Sequence, residues 1–90
     1  MLTLVSSPNP FTDRTTISCS LPEKGRLTLT IHNIFGETVK TLGDDVEHEG
    51  KYSVEVTSEK MRPGIYTAML SLKTSGGLVL VKTIRIVYKK

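Results

Sequence analysis

The chain contains few side chains that could act as nucleophiles or bases. They are one cysteine, Cys19, and two histidines, His32 and His48. A cysteine–histidine pair attacks a substrate only when the thiol is exposed beside an imidazole. Cys19 alternates with Ile17 and Leu21 along a strand-like segment, so we expect its thiol to point into the core, where free cysteine is common. The sequence therefore predicts that this chain is not an enzyme.

A carboxylate cluster in the middle of the chain is the other group that could do chemistry, as a cation site. It comprises Asp44, Asp45, Glu47 and Glu49. Calcium takes roughly six to eight oxygens from a wrapped loop, and the glycine-containing spacing of such a loop is missing. The histidines lack zinc-ligand spacing, and one cysteine permits neither a multi-cysteine zinc site nor an intrachain disulfide. We expect a solvated acidic loop over residues 43–50, with no metal and no cofactor.

Length and composition define the class of fold that carries these side chains. Ninety residues form one domain with a single core. Val, Ile and Thr together supply 26 residues, whereas Ala68 is the only alanine. Because β-branched residues suit strands and alanine favours helices, this composition argues against a helical bundle. No apolar stretch approaches the ~20 residues that span a bilayer as a helix.

Seven strand-length segments with alternating apolar residues follow one another, separated by turn signals. Glycine is well placed in two of these turns: Gly36 ends residues 33–36, and Gly64 can take a positive φ in a type II turn over residues 62–65. Short strands joined by short turns predict an all-β fold, an immunoglobulin-like β-sandwich of about seven antiparallel strands.

The inward faces of the strands follow from the same alternation. In the last segment the apolar phase moves from Val79 and Val81 to Ile84 and Ile86, which predicts a β-bulge near residues 82–83. Elsewhere the alternation is regular, and it predicts the following inward residues: Ile17, Cys19, Leu21, Leu27, Leu29, Ile31, Tyr52, Val54, Val56, Tyr66, Ala68, Leu70 and Leu72.

The charges are distributed unevenly along the chain. Residues 44–59 hold six acidic groups against one lysine, while residues 60–90 hold seven basic groups and no acid. One interpretation is a solvated sheet with charged edges, and the other is a basic surface that faces a partner. Nucleic acid is not favoured as that partner, because the basic segment lacks Trp and Phe for base stacking.

Short motifs stand in a fixed order along nearly the whole chain. They are Ser7-Pro8-Asn9-Pro10-Phe11, Thr15-Thr16-Ile17-Ser18, Leu21-Pro22, Ile31-His32-Asn33-Ile34-Phe35-Gly36, Gly50-Lys51-Tyr52, Pro63-Gly64-Ile65-Tyr66 and the closing residues 82–90. In these motifs the chain resembles the C-terminal sorting domain of type IX secretion. The motif residues that we expect to set turns and local structure are Pro8, Asn9, Pro10, Phe11, Gly36, Gly50, Gly64 and Tyr66.

This resemblance implies that residues 1–90 are one sorting domain at the C-terminal end of a longer secreted precursor in Bacteroidota. It implies a non-catalytic signal that directs an upstream cargo domain from the periplasm through an outer-membrane translocon. A sortase-like cysteine endopeptidase then removes the domain and typically joins the cargo to anionic lipopolysaccharide at the cell surface. The implied partners are the translocon, the endopeptidase and the cargo domain, with a dimer of the domain as a further alternative.

A second resemblance keeps another class of function open. The immunoglobulin-like domain of flagellar-hook capping proteins has similar Pro-Asn-Pro-Phe and Gly-Ile-Tyr motifs. On that interpretation the chain is an adhesion or assembly module retained on the mature protein.

Both ends of the chain carry expectations about sorting. Residues 1–5 are expected to be an edge strand or a mobile leader beside the processing junction. Residues 78–90 are expected to form an edge strand that the translocon recognises by strand addition, with its charges adding selectivity. Alternatively, its lysines only protect the edge from aggregation. The expected recognition residues are Lys82, Arg85, Ile86, Val87, Lys89 and Lys90.

Overall fold

The computed structural model describes residues 1–90 and contains seven strands. They are β1 (Thr3–Ser7), β2 (Arg14–Ser20), β3 (Gly25–His32), β4 (Thr38–His48), β5 (Lys51–Thr57), β6 (Gly64–Thr74) and β7 (Val79–Tyr88). The absence of helices confirms the predicted all-β class. None of the described elements is a helix that could cross a membrane.

The strands form two antiparallel sheets packed face to face. One has the order β1-β2-β5 and the other the order β4-β3-β6-β7. In the immunoglobulin sandwich, strands A, B and E share one sheet and C, F and G share the other. The present order matches that arrangement, with β1, β2 and β5 in the positions of A, B and E, and β3, β6 and β7 in those of C, F and G. The fourth strand differs: β4 pairs with β3, whereas strand D pairs with strand E. The predicted sandwich of seven antiparallel strands is confirmed.

The core lies between the sheets and consists largely of the residues whose inward orientation the alternation predicts. In β2, β3 and β6 all predicted inward residues are buried, whereas Tyr52 and Val54 of β5 are only partly buried. The period of two therefore predicted the inward face wherever a strand has neighbours on both sides. The buried apolar residues are Leu4, Phe11, Ile17, Cys19, Leu21, Leu27, Leu29, Ile31, Val56, Tyr66, Ala68, Leu70, Leu72 and Ile86.

Tyr66 forms a tyrosine corner at the start of β6. Its hydroxyl donates a hydrogen bond of 2.5 Å to the carbonyl oxygen of Arg62, four residues upstream. Immunoglobulin-like sandwiches carry the same contact at the start of strand F, the position that β6 occupies here. The side chain itself is buried. This corner is an independent sign of the immunoglobulin-like architecture.

The predicted bulge in the last strand is wrong. β7 pairs with β6 without interruption, from Lys73 opposite Val79 to Gly64 opposite Tyr88. Even-numbered residues therefore face inward throughout, and Val79 and Val81 are 60% and 59% exposed. Lys82 occupies an inward phase but lies at the sheet edge, where a long side chain reaches solvent.

The irregular pairing lies in the opposite edge strand. β4 shifts register against β3 at three places, and Asp45 has a φ of 55°. The predicted acidic loop over residues 43–50 is wrong in extent, because β4 continues to His48 and only Glu49 and Gly50 remain for the turn. A bulge accommodates extra residues within a strand, so β4 continues through an acidic segment whose sequence predicts a loop.

The predicted type II turn at Gly64 is also wrong. Gly64 is the first residue of β6, and its φ of 156° is far from the value near +80° of such a turn. The reversal occurs earlier, where the N–H of Met61 donates to the carbonyl of Ser58 at 3.0 Å and Lys60 has a φ of 64°.

The N-terminal segment belongs to the sandwich. β1 pairs with β2 from Thr3 opposite Ser20 to Ser7 opposite Thr16, and it is an edge strand of its sheet. Leu4 is 4% exposed and part of the core. Of the two alternatives for this segment, the structure shows the edge strand.

Candidate functional site

The C-terminal half of β7 is closed along its outer edge by the segment that follows β1. The N–H of Phe11 donates to the carbonyl of Val87 at 2.9 Å, and the N–H of Lys89 donates to the carbonyl of Phe11 at 2.8 Å. Asn9 extends this contact with its side-chain amide, which donates to the carbonyl of Arg85 at 2.9 Å and accepts from the N–H of Val87 at 3.0 Å. Residues 9–11 thus act as a short extra strand beside the end of β7.

Packing under this contact holds both segments in place. The ring of Phe11 is 1% exposed and stacks on Tyr88, with 5.3 Å between ring centroids. Thr15, fully buried in β2, donates from Oγ1 to the carbonyl of Pro8 at 2.7 Å and contacts Ser6 Oγ at 2.6 Å. The peptide bonds before Pro8 and Pro10 are both cis. The Pro-Asn-Pro-Phe motif therefore joins the two sheets at the end of β7.

The residues expected to mediate recognition differ in accessibility. Lys82, Arg85, Lys89 and Lys90 are exposed, and Val87 is half-buried. Ile86 is fully buried in the core, so its side chain cannot reach a partner on the folded domain. β7 therefore exposes its cations to solvent, while the side chains of Ile86 and Tyr88 anchor the strand to the core.

Ion pairing separates the basic residues of the chain into two groups. Arg14, Lys24 and Arg26 form all five ion-pair contacts, with carboxylates no later in sequence than Glu55. None of the seven basic residues after Glu59 pairs with a carboxylate. The sequence asymmetry thus persists in the fold as a difference in pairing, because the acidic part of β4 binds Lys24 and Arg26, and Lys73, which lies opposite Arg26, forms no ion pair.

The ion pair between Lys24 and Glu47 shifts the pKa of both residues. Lys24 Nζ lies 3.0 Å from Glu47 Oε1. This hydrogen bond, with the attraction between the charges, raises the pKa of Lys24 and lowers the pKa of Glu47. Arg26 also lies near Glu47, with 3.6 Å between Nη1 and Oε2. Asp45 and Glu47 of the acidic cluster are therefore paired with cations, whereas Asp44 and Glu49 form no ion pair.

Several motif residues gather at the end of the sandwich where β7 finishes. Gly64 pairs with Tyr88, which also pairs with Phe11, and the turn after β3 ends at Gly36 with a φ of 82°. Between the turn after β3 and the start of β6 lies a groove of about 330 Å³. Gly50 is the exception, since it turns the chain at the opposite end with a φ of 82°. Exposed apolar side chains line the groove: Ile34, Phe35, Val39 and Ile65.

The side chains that could do chemistry are far from this end or engaged in structure. Cys19 is 3% exposed, and burial raises the pKa of its thiol. His32 lies between the hydroxyls of Thr30 and Thr38 at 2.8 and 3.3 Å, and His48 packs edge-on against Tyr52. No three His, Cys, Asp or Glu residues stand together in a way that could hold a metal ion.

Sequence reasoning missed two features of this region. It treated Asn9 as part of a bend, whereas its amide binds the backbone of β7, 76 and 78 residues further along. It also placed Val79 and Val81 in the core. For Asn9 no local signal was available, because asparagine is also common in plain turns.

Comparison with known protein families identifies one match. A family model described as the secretion system C-terminal sorting domain matches residues 7–86. No curated protein matches the chain, and no solved structure matches it. The matched family is a C-terminal sorting signal for type IX secretion, which directs export to the cell surface or extracellular space and is not catalytic. The matched residues run from the end of β1 to Ile86, so the chain belongs to the family of secretion system C-terminal sorting domains.

Proposed function

We propose that the outer-membrane translocon of the type IX system recognises this domain through the basic final strand. The observation that carries the proposal is the absence of ion pairs from all seven basic residues after Glu59. Four of them, Lys82, Arg85, Lys89 and Lys90, lie on or just beyond β7 and are exposed. Cations without a local partner leave a positive field that attracts an acidic surface and steers its approach.

The experiment follows secretion of a reporter fused upstream of the domain. Arg85→Glu, Lys89→Glu and Lys90→Glu are combined, and removal of Lys89 and Lys90 is a second variant. We expect the cargo to accumulate in the periplasm while the domain stays folded, because acidic side chains would repel the complementary surface. Lys51→Glu is the matched control, since Lys51 is exposed on β5 and forms no ion pair.

The outcome separates recognition from edge protection. Normal export of the folded triple variant would show that the translocon does not recognise these cations, and their role would then be to protect the edge of β7 from aggregation. Equal loss with Lys51→Glu would point to net charge instead of this strand. Protease resistance of the domain within the fusion reports whether each variant is folded.

Processing by a sortase-like cysteine endopeptidase is the second part of the proposal. We place the cut on the N-terminal side of Leu4. The pairing of β1 with β2 and the burial of Leu4 support this position, because a protease needs an extended and accessible segment. The released cargo would then be anchored at the cell surface. N-terminal sequencing of the released domain locates the cut, and a cut beyond Phe11, inside the folded body, would contradict the proposal.

An adhesion or assembly module retained on the mature protein is the alternative. The apolar groove supports it, since Phe35 is 80% and Ile34 73% exposed at the tip of the turn after β3. Large exposed apolar side chains often mark interaction sites. Mass spectrometry of the mature surface protein distinguishes the two, because a sorting signal is removed and an assembly module is kept.

A further inference from the structure

The outer edge of β7 has a closed half and an open half. Val87 directs both its N–H and its C=O away from β6, toward Asn9 and Phe11. Backbone groups alternate along an antiparallel strand, so Val79, Val81 and Thr83 direct theirs the same way. These three residues have no hydrogen-bonded neighbour on that side, because β7 pairs only with β6 and residues 9–11 reach no further than Arg85.

The two edges of the four-stranded sheet differ in their readiness to accept a strand. β4 is interrupted by three register shifts, and such irregularities prevent edge-to-edge pairing. The open half of β7 has no bulge and no proline, and its register against β6 is continuous. Lys82 is the only charged residue in that half. A partner strand would therefore meet a straight ladder at β7 and a broken one at β4.

The side chains around the open half favour a partner that is both apolar and acidic. Leu78, Val79 and Val81 are each about three-fifths exposed, and they form an apolar strip beside the free backbone groups. Arg85 follows this strip on the same face of β7 as Val79 and Val81, Lys82 lies on the other face at the sheet edge, and no acidic residue follows Glu59 in the chain. Opposite charges on neighbouring strands stabilise their pairing, and like charges oppose it.

We propose that an extended segment of the export machinery, alternating apolar and carboxylate side chains, adds as a fifth strand to β7 along residues 79–83. This inference rests on the proposed function and adds the binding mode: backbone pairing supplies affinity, and Lys82 and Arg85 select acidic neighbours. A second copy of the domain is a poorer occupant, because two basic β7 strands would bring like charges together.

Proline at position 81 tests the backbone pairing directly. Val81→Pro removes an N–H that points away from β6, so every hydrogen bond between β6 and β7 is kept, and proline is tolerated on such an edge. Export of the reporter fusion should fall about tenfold or more, because the partner carbonyl loses its donor. Thr83→Pro removes the next outward N–H and should act in the same way.

Val81→Thr is the matched control, since it keeps the N–H and the branched Cβ and should export normally. Normal export of both folded proline variants would overturn the inference. An equal loss with Val81→Thr would also overturn it, because the apolar side chain and not the backbone would then be bound. Deleting the whole domain tests the proposed function separately: unchanged export there would reject the sorting role itself.

The nature of the occupant is tested by a photoreactive benzoylphenylalanine at position 79 in the full fusion. We expect a covalent adduct with a protein of the export machinery, and none from the same probe at Thr16, which is exposed on β2 of the other sheet. An adduct between two copies of the domain, or no adduct at position 79, would overturn the proposed occupant.

Discussion

Asn9 Oδ1 accepts a hydrogen bond of 3.0 Å from the backbone N–H of Val87. The two residues are 78 positions apart, and the same amide donates to the carbonyl of Arg85. One side chain thus satisfies two outward groups of an edge strand, as a neighbouring strand would. It also limits where a true partner strand can bind.

Asn9→Ala removes both of these hydrogen bonds. We expect the free energy of unfolding to fall by about 1–2 kcal/mol, a typical net value for two such bonds. Urea unfolding measures the loss, and amide hydrogen exchange at Val87 should accelerate. Thr12→Ala, at an exposed neighbouring position, is the control and should change neither. Unchanged exchange at Val87 would show that the contact does not persist in solution.

Tyr66→Phe tests the tyrosine corner. The variant keeps the buried ring and removes only the hydroxyl that bonds the carbonyl of Arg62. We expect the urea midpoint to move by an amount equivalent to about 1–2 kcal/mol. Tyr52→Phe is the matched control, because the hydroxyl of Tyr52 makes no hydrogen bond in the structure, and it should cost less. Equal losses of stability in the two variants would show that the hydrogen bond of the Tyr66 hydroxyl does not stabilise the fold.

Thr15→Val tests the buried hydroxyl that joins β1 and β2 to the proline segment. Since the Thr15 proton goes to the carbonyl of Pro8, Ser6 is the donor to Thr15, and both partners lose a bond in the variant. Valine has nearly the same shape, so the expected cost of about 1–3 kcal/mol is that of unsatisfied polar groups. Thr16→Val on the exposed face of β2 controls for the change of residue type. A stability equal to the parent would mean that water replaces both bonds.

The Lys24–Glu47 pair predicts a dependence of stability on pH. The pKa of Glu47 is lowered in the folded state from an ordinary value of 4.5, so the stability it contributes is present above that value. It is lost as pH falls through the lowered pKa of the folded state. The difference in urea midpoint between the parent and Glu47→Gln should therefore be largest near neutral pH and vanish in acid. High salt should reduce it as well, because the pair is exposed. A difference that is constant with pH would contradict this assignment.

Local sequence determined much of the fold. In β2, β3 and β6 the alternation predicted every buried apolar side chain, because each of these strands has one face in the core and neighbours on both edges; the buried Thr15 and Thr74 were not predicted. Gly36 ended a turn as expected, since few other residues take its φ of 82° without strain. The burial of Cys19 followed equally from its place in the alternation.

Tertiary structure decided what happens at the edges. Whether Val79 or Leu80 faces inward depends on the register with β6, and the charge at Lys82 interrupts the apolar pattern from which that register would be inferred. The acidic segment of β4 pairs with Lys24 and Arg26, and not with the basic C-terminal third, because the sheet order places those strands side by side. Asn9 meets β7 only after both sheets have formed, since a contact across 78 residues leaves no local trace in the sequence.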